Sequence, residues 1–141
     1  MGVVEDAGTE TILLVEDELS LRLIIQKVLQ QFGYQVIPAA NAGEALELWA
    51  SHNDEIDLLL TDLVMPESLS GSQLAQKLRD ERPDLKVVYT SGFDVAPLDA
   101  STEEFIEGLN FVQKPFRRET LAAAVRRSLD SGAGAQIRSP K

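Results

Sequence analysis

The chain has 141 residues, 44% of them hydrophobic and 26% charged, the make-up of one ordinary globular domain. It contains no cysteine, which excludes disulfides, thiolate metal sites and thiol nucleophiles. A net charge of -10 argues against a nucleic-acid-binding surface, and the apolar runs are too short to cross a bilayer.

No secretory leader pattern opens the chain, so a cytoplasmic location without membrane contact by this segment is expected. Residues 1–10 are small, polar and acidic and read as a linker or cloning remnant. Thr11–Val15 is the first predicted strand. Leu19–Phe32 follows as a helix with an apolar stripe at Leu19, Leu23, Ile24, Val28, Leu29 and Phe32, stopped by Gly33. Gln35–Ala39 is a second strand. Asn41 caps a helix over Ala42–Ser51 with Ala45, Leu46, Leu48 and Trp49 inward. The third strand is Leu58–Thr61, and the loop Leu63–Ser70 leads to a helix over Ser72–Glu81 that ends ahead of Pro83. Leu85–Thr90 is the fourth strand. A short helix near Thr102–Glu107 breaks the region 92–109, and Asn110–Gln113 is the fifth strand. Arg117–Leu129 closes the fold as a helix with Leu121, Ala124, Val125, Ser128 and Leu129 on one side. From Asp130 a Ser/Gly/Ala-rich stretch reads as a disordered tail over 130–141. Strands alternating with helices predict a doubly wound α/β domain over 11–129, a parallel sheet with helices on both faces.

Strands as apolar as Thr11–Val15 and Leu58–Thr61 are buried on both faces, and in such a sheet the ligand crevice opens at their carboxyl ends. Glu16 and Asp17 follow the first strand and Asp62 the third, so one sheet edge collects three carboxylates. Two carboxylates about 5 Å apart repel by roughly 3 kcal/mol at an effective dielectric of about 20. A divalent cation, Mg²⁺ or failing that Mn²⁺, removes that cost. Because the chain is acidic, an anionic ligand at this edge needs cations of its own. The fourth strand ends in Thr90-Ser91-Gly92 and the fifth in Lys114-Pro115.

This set, in this chain order, resembles the receiver domain of two-component response regulators. The resemblance spans about Thr11 to Leu129. It rests on Leu14-Val15-Glu16-Asp17-Glu18, Thr61-Asp62-Leu63-Val64-Met65-Pro66, Gly71 and Gln113-Lys114-Pro115-Phe116. Each string is weak alone, and together on the right strands they are specific. The segments Gly8 to Glu18 and Tyr89-Thr90-Ser91-Gly92-Phe93 are most similar to the C-terminal receivers of hybrid sensor histidine kinases.

The resemblance implies a flavodoxin-like sheet of order 2-1-3-4-5. It implies that Asp62 takes a phosphoryl group from a phosphohistidine, borne by a histidine kinase or a histidine phosphotransfer domain. Glu16, Asp17, Asp62 and the Val64 carbonyl would hold Mg²⁺, Glu16 partly through water. Lys114 would pair with phosphoryl oxygens and Thr90 would donate its hydroxyl to another. Thr90 and Phe111 would form the switch, the ring turning inward as the hydroxyl moves, and the Lys114–Pro115 bond would be cis. Three departures stand out: Glu rather than Asp opens the acidic pair, the loop Met65 to Gly71 is one residue longer than the common family form, and Phe111 carries no phenolic hydroxyl.

Plainer readings exist for each residue. The acids at 16–18 suit a helix N-terminus, Asp62 and Thr90-Ser91-Gly92 suit turns, and Lys114 before Pro115 suits a solvated helix start. Trp49 reads as core and His52, the single histidine, as a surface residue. Arg117, Arg118, Arg126 and Arg127 read as a solvated face. Against Asp99, Glu103, Glu104 and Glu107 they could also complete a weak two-fold dimer. The competing functions are a stand-alone regulator, a pseudo-receiver signalling by contact alone, and an enzyme of similar fold. The complete acid set disfavours the pseudo-receiver. The enzyme reading lacks a second Asp at position 64, a dinucleotide fingerprint and a Walker A loop. Any catalysis would be limited to self-phosphorylation and self-dephosphorylation.

Overall fold

A computed structural model describes residues 7–64, 69–91 and 110–137. Five parallel strands, β1 (Thr11–Val15), β2 (Gln35–Ala39), β3 (Ile56–Asp62), β4 (Lys86–Ser91) and β5 (Phe111–Gln113), form one sheet in the order β2-β1-β3-β4-β5. Four helices lie among the described residues: α1 (Leu19–Gln31), α2 (Ala42–His52), α3 (Gly71–Glu81) and α4 (Arg118–Ile137). The expected helix near Thr102–Glu107 lies outside the described residues, as do the acids placed on it.

The order follows from burial. The inner strands β1, β3 and β4 are almost wholly buried, whereas β2, at an edge, carries Pro38, which an edge strand tolerates. Each helix covers one face. Ile12, Leu14, Leu58, Leu60 and Val88 point to the side where Ile25 and Leu29 of α1, with Phe32 just after it, meet Leu121 and Val125 of α4. Leu13, Val15, Leu59, Val87 and Tyr89 point to the other, against Ala45 and Trp49 of α2 and Leu74 and Leu78 of α3. Alternation along every inner strand thus feeds two cores.

The first helix departs from the expected stripe. Leu19, Leu23 and Ile24 are 58%, 54% and 58% exposed, and the buried seam is Ile25, Leu29 and Phe32 with Leu21 and Val28 packed beside it. The first two turns are apolar nearly all round, so spacing alone admits two seams. Contact with α4 selects the one that also reaches Phe32. Gly33, at φ 99°, ends the helix in a left-handed turn that lets Tyr34 N–H reach the Leu29 carbonyl at 3.1 Å. Asn41 caps α2, its Oδ1 accepting from Glu44 N–H at 2.8 Å. Ser70 and Gln73 form a capping box on α3.

The described residues near both ends of the chain are tied to the domain. The segment 7–10 is fastened down: Gly8 N–H donates to the Phe32 carbonyl and Gln35 N–H to the Glu10 carbonyl, both at 3.0 Å. Arg126 of α4 donates to both Glu10 carboxylate oxygens (3.2 and 2.8 Å), to the Ala7 carbonyl (3.1 Å) and to Asp130 (2.8 Å). Arg126 is therefore an anchor and leaves the group of solvated arginines. Arg118 stacks over the Phe32 ring at 5.8 Å. In addition, α4 continues to Ile137, well past Leu129. Propagating a formed helix costs little, even through glycines at about 1 kcal/mol each.

The Arg126 bond holds the Glu10 carboxyl below its ordinary range. A depressed carboxyl contributes stability above the ordinary glutamate pKa near ~4.3, and that contribution is lost as pH falls through the folded value. Arg126→Ala should therefore cost about 1 kcal/mol at pH 7, discounted for partial exposure, and less at pH 4. Thermal melts at the two pH values check this, and a gap that does not narrow in acid would refute it.

Candidate phosphoacceptor and metal site

The acids meet at the carboxyl edge of the sheet because β1 and β3 are neighbours in register, Val15 beside Thr61. Glu16, Asp17 and Asp62 each offer an oxygen, and these oxygens all lie within 4.8 Å of one another. Glu16 and Asp62 are buried, while Asp17 faces solvent. Lys114 enters from the end of β5, where its N–H donates to the Ser91 carbonyl at 2.7 Å. Its Nζ reaches Glu16 Oε1 at 3.0 Å and Asp62 Oδ2 at 2.9 Å. The lysine is thus the counter-ion of the cluster. Three hard oxygen donors at this spacing fit a small divalent cation.

Burial pushes the Glu16 carboxyl up, outweighing the Glu18 N–H and Lys114 bonds that pull it down. Burial also works against the Lys114 ammonium, but its bonds to Asp62 and Glu16 prevail and hold its pKa above the usual lysine range. Burial thus dominates at Glu16, and the two carboxylates dominate at Lys114.

The remaining sequence-predicted residues fall around this centre. Val64 N–H donates to Asp62 Oδ1 at 3.2 Å. Thr90 is buried on β4 directly beside Asp62, and its carbonyl accepts from Leu63 N–H at 2.8 Å. The Lys114–Pro115 peptide is cis. Phe111 stands apart, paired with Tyr89 in register and only 6% exposed within the core. Its ring lies inside in this structure. Residues 65–68 and 92–109 lie outside the described residues. Gly71 is explained by proximity: its N–H donates to the Leu63 carbonyl at 2.9 Å, and a Cβ there would overlap the Asp62 carbonyl oxygen.

One site residue has no counterpart in the sequence reading. Arg22, on the first turns of α1, donates through Nη1 to the Glu16 carbonyl at 2.7 Å. Only its distance from the acidic pair, about one helical turn beyond Glu18, could have pointed to it.

The chain is similar to known proteins. The family model for the response regulator receiver domain matches residues 12–126. The sensor kinase CckA of Brucella abortus (strain 2308) is 36% identical over 130 residues, which cover 88% of this chain and 13% of the kinase. The response regulator receiver protein CpdR of the same organism is 32% identical over 118 residues, covering 84% of this chain and 95% of that protein. The solved receiver domain from the hybrid histidine kinase CckA has a TM-score of 0.68 at 31% identity, covering 84% of this chain and 98% of that one. The chain therefore spans a small part of one relative and nearly all of another. With the acids, lysine and sheet order in place over the whole matched range, it belongs to the response regulator receiver domain family.

Proposed function

We propose that the chain accepts a phosphoryl group on Asp62 from the phosphohistidine of a histidine kinase or histidine phosphotransfer domain. The convergence of Glu16, Asp17, Asp62 and Lys114 carries this reading. An Asp62 oxygen attacks phosphorus, the P–N bond breaks with its electrons returning to the imidazole, and an acyl phosphate remains. Phosphoryl transfer depends on positioning and charge neutralisation more than on covalent help. Asp62 is held in line by the Val64 N–H and the Lys114 ammonium. Lys114 can follow the phosphoryl oxygens while keeping Glu16 as an anchor. Thr90, adjacent to Asp62 in register, would donate its hydroxyl to a phosphoryl oxygen. Mg²⁺, held by Glu16, Asp17, Asp62 and the Val64 carbonyl, would neutralise phosphoryl charge. The response to phosphorylation is assigned to Thr90 and Phe111, on the paired strands β4 and β5.

We assign the donor's docking face to the exposed apolar residues of α1. Leu19, Leu23 and Ile24 on α1 and Val64, two residues after Asp62, are large apolar side chains left exposed. Apolar side chains gathered at a functional site mark a protein contact, here with the helix that bears the phosphohistidine. The wording of the first strand and the CckA match favour a hybrid kinase as the parent. CpdR keeps a stand-alone regulator as the alternative, and the mass of the native gene product decides between them.

Acetyl phosphate with Mg²⁺ should add one base-labile phosphoryl group, detected by intact mass, and Asp62→Asn should add none. Labelling of that variant, or labelling undiminished by EDTA, would overturn the assignment. Leu23→Ser should slow transfer from a phosphorylated kinase about tenfold, the loss of one buried leucine contact. It should leave acetyl phosphate labelling unchanged. Equal slowing with both donors would place Leu23 outside the docking face.

A further inference from the structure

The connection between β1 and α1 is only Glu16, Asp17 and Glu18, yet it places two of the three carboxylates of the site. Nothing at the start of α1 fixes it in the usual way. Glu18 makes no side-chain cap, and the first turn of α1 carries no acid. The segment is instead held from three sides. Glu16 N–H donates to the Ala39 carbonyl at 3.1 Å, Glu18 N–H donates to Glu16 Oε2 at 3.1 Å, and Arg22 Nη1 donates to the Glu16 carbonyl at 2.7 Å.

The third bond differs from the others in what it controls. The Glu16 carbonyl belongs to the peptide plane joining Glu16 to Asp17. A peptide is rigid, so fixing the direction of its C=O fixes the start of Asp17. Asp17 is the exposed acid of the cluster, and its carboxylate lacks the Lys114 contact that orients Glu16 and Asp62. Arg22 is itself half-buried, with its own N–H bonded to the Glu18 carbonyl at 2.9 Å, so the guanidinium hangs from a helix turn anchored in the same loop.

We propose that Arg22 is the positioning residue for the metal-binding acids, acting through the Glu16–Asp17 peptide rather than on the ligand itself. The inference rests on reading Glu16, Asp17 and Asp62 as a divalent-cation site. Mg²⁺ demands near-ideal octahedral geometry, so an acid free to wander is a poor ligand for it. Charge alone predicts the opposite. A guanidinium beside the site repels a divalent cation, and removing it should tighten binding. The two accounts differ in sign, which makes the question decidable.

The measurement is the dissociation constant for Mn²⁺, from the free-ion EPR signal, with melting temperature in EDTA recorded alongside. Arg22→Met keeps the apolar stem and removes both charge and donors. It should weaken Mn²⁺ binding about tenfold, the lower end for losing a partner that orients a ligand. Arg22→Lys keeps a donor one atom shorter and should recover part of that loss. Unchanged or tighter binding by the Met variant, or a Lys variant as weak as the Met one, overturns the proposal. Should the Met variant not fold, the wild-type guanidinium carries the test. Hindered rotation, seen as separate Nη signals in NMR, is expected, and a freely rotating group overturns it. Wild-type protein that binds no Mn²⁺ would overturn the metal reading and this inference together. Wild-type binding with an unaffected Met variant overturns this inference alone.

Discussion

Gly71→Ala is expected to destabilise the protein by about 3 kcal/mol, the upper end for overpacking, because the atoms in the way are backbone. An added Cβ would overlap the Asp62 carbonyl oxygen and lie 3.0 Å from both the Asp62 carbonyl carbon and Leu63 Cα. Side chains can turn aside, but the end of β3 cannot, since Leu63 N–H is bonded to the Thr90 carbonyl at 2.8 Å. Relief must come from moving α3 off the sheet or moving Asp62. For a domain of this size the loss corresponds to roughly 10 °C in melting temperature. The second consequence is specific to the site. If β3 yields, Asp62 leaves the acid cluster, and the stabilisation by millimolar Mg²⁺ shrinks along with the melting temperature. A surface substitution of equal cost would leave the Mg²⁺ response intact. Thermal scans with and without Mg²⁺ measure both, and an alanine variant that melts like the wild type would refute the contact argument.

Lys114→Met should show the largest dependence on conditions. In EDTA at pH 7 it removes the cation that Glu16 and Asp62 share and leaves buried carboxylates facing one another. Breaking a fully buried pair costs about 3–5 kcal/mol; Lys114 is one-fifth exposed, so about 2 kcal/mol is expected. Mg²⁺ should restore more stability to the variant than to the wild type, because no ammonium competes for the same oxygens. The pH dependence follows from the two shifts. Lys114 is raised, so its contribution is complete below the ordinary lysine pKa near ~10.4 and disappears as pH rises through the folded value. The wild type should therefore lose its advantage over the variant in strong alkali. Glu16 is also raised, so the native state holds that proton more tightly than the unfolded chain does. Stability from this group falls as pH rises from the ordinary glutamate value to the folded one. Without Lys114 the carboxyl rises further, and lowering the pH from 7 to 5 should bring the variant back towards the wild type. A variant as stable as the wild type in EDTA, or one that Mg²⁺ helps less, would show that Lys114 is not the counter-ion of the cluster.

The sequence by itself determined the layer architecture and the chemistry of one sheet edge. Apolar runs of five or so residues between helical stretches leave few alternatives to a covered parallel sheet. Acids placed directly after two such runs must then emerge at the same edge, whatever the details of packing. Strand positions therefore agree to within a residue or two, and Glu16, Asp17, Asp62 and Lys114 could be named in advance. What only the tertiary structure decided are relations between distant parts. Leu19, Leu23 and Ile24 form as good a stripe as Leu21, Ile25 and Val28, and periodicity carries no preference between seams until a partner helix is present. Glu10 and Arg126 are 116 residues apart, so nothing local in either one announces the ion pair that fastens the chain's start to α4. Gly71 was legible as a motif glycine, but its cause, the passage of α3 over the Asp62 carbonyl, is a contact between two elements. The same holds for Arg22, whose role lies in which peptide it reaches. Short-range pattern records what each residue needs from water and from its own turn. The partner that satisfies it is fixed only when the layers close.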